Sequence, residues 1–193
     1  MSDNRNESQE KETSRSEASG NDAAPEITEH SQAQQYSKLG MEYFEKRDLD
    51  KAEEYLKKAL ELHVKHGDLL AAASSYGNLG NVYLGQGKWK EAGEHLHKAL
   101  ELHTRLGNSL GMASAYGNLG ILAKKQEHYK EAFPLLTIGF LIVDSLEGAE
   151  PVKRIISNQL AALRENVGEE QFLVWLEEFE AKHQEQNGGV HRN

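Results

Sequence analysis

The chain has 193 residues, 38% hydrophobic and 27% charged, a composition that suits one or two soluble domains with room for one real core. Its formal net charge of −9 argues against indiscriminate binding to nucleic acid or anionic lipid. Cysteine is absent, which removes disulfides, thiolate nucleophiles, zinc fingers and cysteine-ligated iron–sulfur clusters.

Residues 1–29 are rich in Ser, Glu, Asn and Asp and hold too few apolar side chains to offset the entropy of ordering, so a disordered acidic tail is expected there. The opening residues carry no apolar h-region, and no stretch reaches the roughly 18 apolar residues of a membrane span; the expectation is a cytoplasmic protein without membrane insertion.

From residue 30 to 148 the sequence repeats with a period of 40. Tyr36, Leu39 and Gly40 recur as Tyr76, Leu79 and Gly80 and again as Tyr116, Leu119 and Gly120. Ala52, Ala92 and Ala132 follow, then Leu56, Leu96 and Leu136, then Ala59, Ala99 and Gly139. Apolar spacing within each copy is helical, and Arg47-Asp48, Gln86-Gly87 and Gln126-Glu127 fall where the pattern breaks, which gives a helix–turn–helix unit. The apolar run Phe133–Val143 is about half a membrane span in length and reads as a buried helix.

Beyond Gly148, Pro151 opens a helix running to about Glu165, and Gly168 separates it from a last helix carrying Phe172, Trp175, Leu176 and Phe179 on one face. This pair, residues 149–185, is expected to be a degenerate fourth unit that caps the stack. Residues 186–193 are expected to be a disordered tail.

The aromatic followed by Leu-Gly, with Tyr43 and Tyr83 as second aromatics and an Ala twelve residues after each Gly, resembles the tetratricopeptide repeat family. Ala123 departs from that pattern. A segment such as YGNLGNVYLGQGKWKEA is similar to its long-repeat branch, seen in Leu-Gly-Asn polarity adaptors, kinesin-light-chain-type repeats and bacterial adaptors. The resemblance implies an all-α, right-handed α-solenoid that acts as a non-enzymatic adaptor.

Motifs for chemistry are weak by comparison. Gly85, Gly87 and Lys88 lack Walker spacing and sit in a helical turn, and Ser74, Ser75 and Ser114 lie on helices without a nucleophile elbow. Nine histidines invite a metal, but His63 and His103 occupy the same position of different units, while His95 and His97 point to different faces; ordinary packing and solvent roles are expected. No cofactor and no metal is anticipated.

The functional signal is the stripe of each first helix not spent on packing, which should line a concave groove. It comprises Gln34, Ser37, Met41 and Phe44; then Ser74, Gly77, Asn78, Asn81 and Leu84; then Ser114, Gly117, Asn118, Ile121, Lys124 and Lys125. Asn side chains both donate and accept, so Asn78, Asn81 and Asn118 suit the backbone of a protein or peptide partner, and Gly77 and Gly117 would let that backbone approach. The resemblance implies this role most strongly for Asn81. It also argues against chaperone-tail capture, because Ser37, Met41, Asn81, Ser114 and Asn118 match only one of five clamp positions. The alternative is self-assembly into a homo-oligomer, with the groove filled by the chain's own residues near Ile27 or by another copy.

Overall fold

The computed structural model describes residues 28–188 and, among them, contains eight α-helices and no strand. They are α1 (Glu29–Glu45), α2 (Leu49–Lys65), α3 (Leu69–Gln86), α4 (Trp89–Arg105), α5 (Ser109–Lys125), α6 (Tyr129–Asp144), α7 (Glu150–Val167) and α8 (Glu169–Gly188). Most of the expected N-terminal tail and the last five residues lie outside the described range. Within it, the chain starts with Thr28 capping α1, and α8 continues to Gly188.

Consecutive helices pack against one another, so the molecule is an all-α helical-repeat solenoid of four helix pairs. The 40-residue repeat is built from two half-units of 20. Residues Arg47, Gly67, Gly87, Gly107 and Glu127 all have positive φ, between 62° and 73°, and each sits in the turn between two helices. In every one of these turns the next residue closes a six-residue loop: Asp48 N–H donates to Tyr43 O, Asp68 to His63, Lys88 to Tyr83, Asn108 to His103 and His128 to Ala123. That next residue is also the N-cap of the following helix. Thr28, Asp48, Asp68 and Asn108 accept a backbone N–H there through their side chains, whereas Lys88 and His128 do not.

Within each unit a glycine of the first helix meets a leucine of the second. A Cβ on Gly40, Gly80 or Gly120 would lie 2.5, 2.6 or 2.6 Å from Leu56, Leu96 or Leu136, and all three leucines are completely buried. Only a glycine lets the axes come this close, and each leucine so enclosed contributes about 1.5–3 kcal/mol of burial. The helices α3 and α5 are buried on two sides, by their own second helix and by that of the preceding unit, which is why apolar residues spread round much of their circumference.

The last pair departs from this pattern. α8 has no fully buried residue among those whose side chains are described, but Phe172, Trp175 and Phe179 set their rings 5.2–6.2 Å from buried Phe133 of α6. An aromatic cluster thus covers the end of the third unit.

Candidate functional site: a concave cleft

A cleft of about 620 Å3 opens along the first helices of the four units. Its floor is a stripe that recurs with one spacing. Ser74, Gly77, Asn78 and Asn81 of α3 are matched by Ser114, Gly117, Asn118 and Ile121 of α5, and by Val152, Ile155, Ile156 and Gln159 of α7. Steps of three, one and three residues place each set on one helix face. Met41 joins from α1, Ala99 and His103 from α4, and Asn108, Leu110 and Gly111 from the turn into α5.

Nine of the groove residues expected from sequence line this cleft: Met41, Ser74, Gly77, Asn78, Asn81, Ser114, Gly117, Asn118 and Ile121. Ser37 instead pairs with His63, its Oγ 3.2 Å from Nε2. Phe44 and Leu84 pack on the core of the first three units. Lys124 donates Nζ to Gln159 across the α5–α7 junction, and burial, reinforced by neighbouring Lys125, pushes its ammonium below the ordinary lysine value. Lys125 itself is exposed.

The chemistry of the lining is amide and apolar. Asn78, Asn81 and Asn118 are half-buried, and none of their polar atoms is buried without a partner. Asn108 is already committed, its Oδ1 accepting from Gly111 N at 2.9 Å, and the Ser74 and Ser114 hydroxyls donate to carbonyls of their own helices. Leu110 and Ile155 keep 44% and 52% of their surface exposed. No Asp, Glu, Lys or Arg contributes to the lining.

The two glycines differ. A Cβ at Gly77 would meet only the Cβ of Ala99 at 3.9 Å, so the helix surface there is open, whereas at Gly117 it would meet Ile156 at 3.1 Å. Gly117 admits α7, and the approach expected for a partner's backbone is available at Gly77.

Sequence reasoning missed the α7 wall because that helix has lost the repeat signature. The signal that would have found it is the 152/155/156/159 spacing, identical to 74/77/78/81. It also passed over His103, taken as a packing residue, which is buried and yet forms part of the cleft wall. Burial pushes the imidazoles of both His63 and His103 below the ordinary histidine value, with Asp68 opposing the shift at His63. Among the described residues no group of three or more His, Asp or Glu is placed to hold a metal, and no helix is long and apolar enough to cross a membrane.

Solved structures share this architecture. BtubC (BKLC) from P. vanneervenii superimposes with a TM-score of 0.64 at 24% identity, over 81% of this chain and 65% of that one. RapI in its apo form gives 0.61 at 15% identity, over 86% and 60%. The TPR domain of Arabidopsis OM64 gives 0.51 at 17% identity, over 67% and 98%. The chain therefore spans just under two thirds of BtubC, and at these identities the likeness concerns the fold. No curated protein matches the sequence. The tetratricopeptide repeat profile matches residues 31–92 and 69–137, together more than half of the sequence, and the chain belongs to the tetratricopeptide repeat family.

Proposed function

We propose that this protein is a non-enzymatic interaction adaptor that holds a peptide or helix of a partner protein in its concave cleft. Tetratricopeptide repeat proteins act in general as protein-binding scaffolds, and the fold supports that broad role here. The observation that carries the finer reading is the cleft itself, where accessible Asn78, Asn81 and Asn118 stand beside exposed Leu110 and Ile155. Apolar side chains of a partner would bury against the leucine and isoleucine, while the amides pair with its backbone.

The test is affinity capture from lysate of the native cell, comparing wild type with an Asn78→Ala, Asn81→Ala, Asn118→Ala variant whose helicity and melting are unchanged. A partner recovered by wild type and lost from the variant supports the reading. Equal recovery by both moves the function to the convex face or the terminal helices. Asn81→Ala alone is expected to weaken binding of that partner by about 1–3 kcal/mol, the cost of leaving a buried backbone group unpaired.

A further inference from the structure

His63 and His103 occupy the same place, 40 residues apart, in the last turns of α2 and α4. They are 4% and 6% exposed, and in both the Nδ1 atom is buried without a hydrogen-bond partner. Their other nitrogens differ. In the first unit Nε2 of His63 is engaged by the Ser37 hydroxyl. The position of Ser37 in the second unit is Gly77, which has no hydroxyl to offer, and His103 stands in the wall of the cleft.

Gly111 packs flat against the His103 ring, since a Cβ there would lie 2.3 Å from Nδ1 and 2.5 Å from both Cε1 and Cγ. Of the two ring nitrogens Nδ1 is buried without a partner and Nε2 is not, which leaves Nε2 as the open one. A proton on Nδ1 would be a buried donor without an acceptor, whereas a proton on Nε2 sits on the nitrogen still able to find one. The neutral tautomer favoured by this packing carries its proton on Nε2, directed at the cleft. No charged side chain lines the cleft itself, and the nearby ammonium of Lys124 is held by Gln159 at the α5–α7 junction, so a carboxylate seated beside His103 would lose its water without meeting a paired counter-charge. A neutral acceptor flanked by apolar side chains fits the site.

We propose that His103, through its Nε2–H, fixes the register of an uncharged, apolar peptide segment in the cleft by donating to one of its main-chain carbonyl oxygens. This rests on the reading of the cleft as a peptide groove. A strongly acidic segment is the poorer fit to such a lining.

The tautomer is tested first, on the full chain alone, by long-range 1H–15N NMR correlation of the histidine rings. A protonated, hydrogen-bearing Nε2 with a bare Nδ1 at His103 is expected, and the reverse pattern overturns the proposal. Linear peptides are then selected from a random display library on wild type and synthesised. The expected sequences are apolar and low in charge, and an acidic consensus would refute the assignment of the occupant.

Four single variants and one double variant are measured with those synthetic peptides. Ile155→Glu places a charge in the cleft and should abolish binding; if it does not, the peptides bind elsewhere and the groove reading itself fails. His103→Val introduces the residue that the third unit carries at this position, Val143, and should weaken binding about 3- to 10-fold, the worth of one neutral hydrogen bond. His63→Val removes the equivalent histidine outside the cleft and should leave affinity unchanged. Loss with Ile155→Glu but equal affinity for His103→Val and wild type would keep the groove and reject His103. Finally, Gly77→Ser rebuilds the first unit's arrangement and occupies Nε2. It should weaken binding more in wild type than in the His103→Val background, where only the lost close approach at Gly77 remains; an equal loss in both backgrounds would show that the effect bypasses the imidazole and would overturn the assignment.

Discussion

Replacing Gly80 by Ala removes a helix-weakening residue and would raise stability by about 1 kcal/mol if propensity alone decided the outcome. The structure reverses the sign. The added Cβ would stand 2.6 Å from Cδ2 and 2.7 Å from Cγ of Leu96, where carbon atoms ordinarily rest about 3.5–4.0 Å apart. One of those atoms is the branch point of a fully buried side chain, so relief requires the helix axes to separate by about 1 Å rather than a methyl to swing aside. Overpacking of this kind costs about 1–3 kcal/mol, which leaves a net loss of about 1–2 kcal/mol after the propensity gain. Urea unfolding followed by circular dichroism measures it. Leu96→Ala will be destabilising in its own right, by about 2–5 kcal/mol, but it removes the obstacle, so Gly80→Ala in that background should be neutral or stabilising by up to about 1 kcal/mol. Gly93→Ala is the internal control, because its Cβ would meet Leu122 Cδ2 at an ordinary 3.4 Å and the substitution should stabilise. A Gly80→Ala protein with a higher midpoint than wild type, or one whose loss persists undiminished without Leu96, would refute the close-packing argument for all three glycine–leucine pairs.

Other consequences concern the turns and the buried titratable groups. His128 has the backbone of an N-cap but contributes no side-chain acceptor, so His128→Asn should stabilise by about 1 kcal/mol, read from the urea midpoint. Glu127 holds φ at 62° where three of the other four turns use Gly67, Gly87 and Gly107; Glu127→Gly relieves that conformation and should raise stability by a few tenths to about 1 kcal/mol, net of the added chain entropy. His63 and His103 have folded-state values below the unfolded value of about 6.5, so the unfolded chain binds their protons first. Their contribution is fully present above that pH and is lost as pH falls through the depressed folded values. Urea titrations at pH 7.5 and 5.5 should show this loss, and it should shrink in a His63→Val, His103→Val protein; an unchanged slope would contradict it. A second acid window belongs to Glu53, held at about 2 against burial by hydrogen bonds from Lys57, Gln86 and Lys88, with its stability lost between about pH 4.5 and 2.

The register of the repeats was legible because the residues that set it do one job in every unit. Gly40, Gly80 and Gly120, with Leu56, Leu96 and Leu136, enclose the same contact, and sequence identity at a spacing of 40 reports it directly. The finer 20-residue period of the turns shows in the sequence only as Gly67, Gly87 and Gly107, because the first and last turns hold the same φ with Arg47 and Glu127. α7 was hard to assign to the cleft for a related reason. Continuing the stripe of α3 and α5 puts Asn158 where they have Gly80 and Gly120, and no glycine is required there because α8 does not press as closely as the earlier second helices do. His103 was obscured by a difference rather than a repeat, since only the loss of the serine hydroxyl at Gly77 gives its Nε2 a distinct role.

Packing residues are repeated along this array and lining residues are varied, and that division bears on how such a surface acquires specificity. At the last position of the shared stripe the four first helices carry Met41, Asn81, Ile121 and Gln159, all of them in the cleft. Neighbouring helices stand about 8–10 Å apart, so a segment crossing them meets apolar, amide, apolar and amide side chains in turn. Substitutions at Met41, Asn81 or Ile121 leave the glycine–leucine contacts in place, because the adjacent Gly40, Gly80 and Gly120 point about 100° away round the helix, toward the second helix of the unit. The partner code can therefore change one unit at a time without a stability cost in the core, whereas a change at Gly80 or Leu96 alters stability without altering what the groove presents. Fold and recognition are encoded on the same four helices by two largely separate sets of residues, and they meet at the Gly117–Ile156 contact, where both residues line the cleft and Ile156 is also part of the core. A larger side chain at Gly117 would displace α7 and, with it, the whole wall formed by Val152, Ile155 and Gln159, so this is a lining position at which binding and stability should change together.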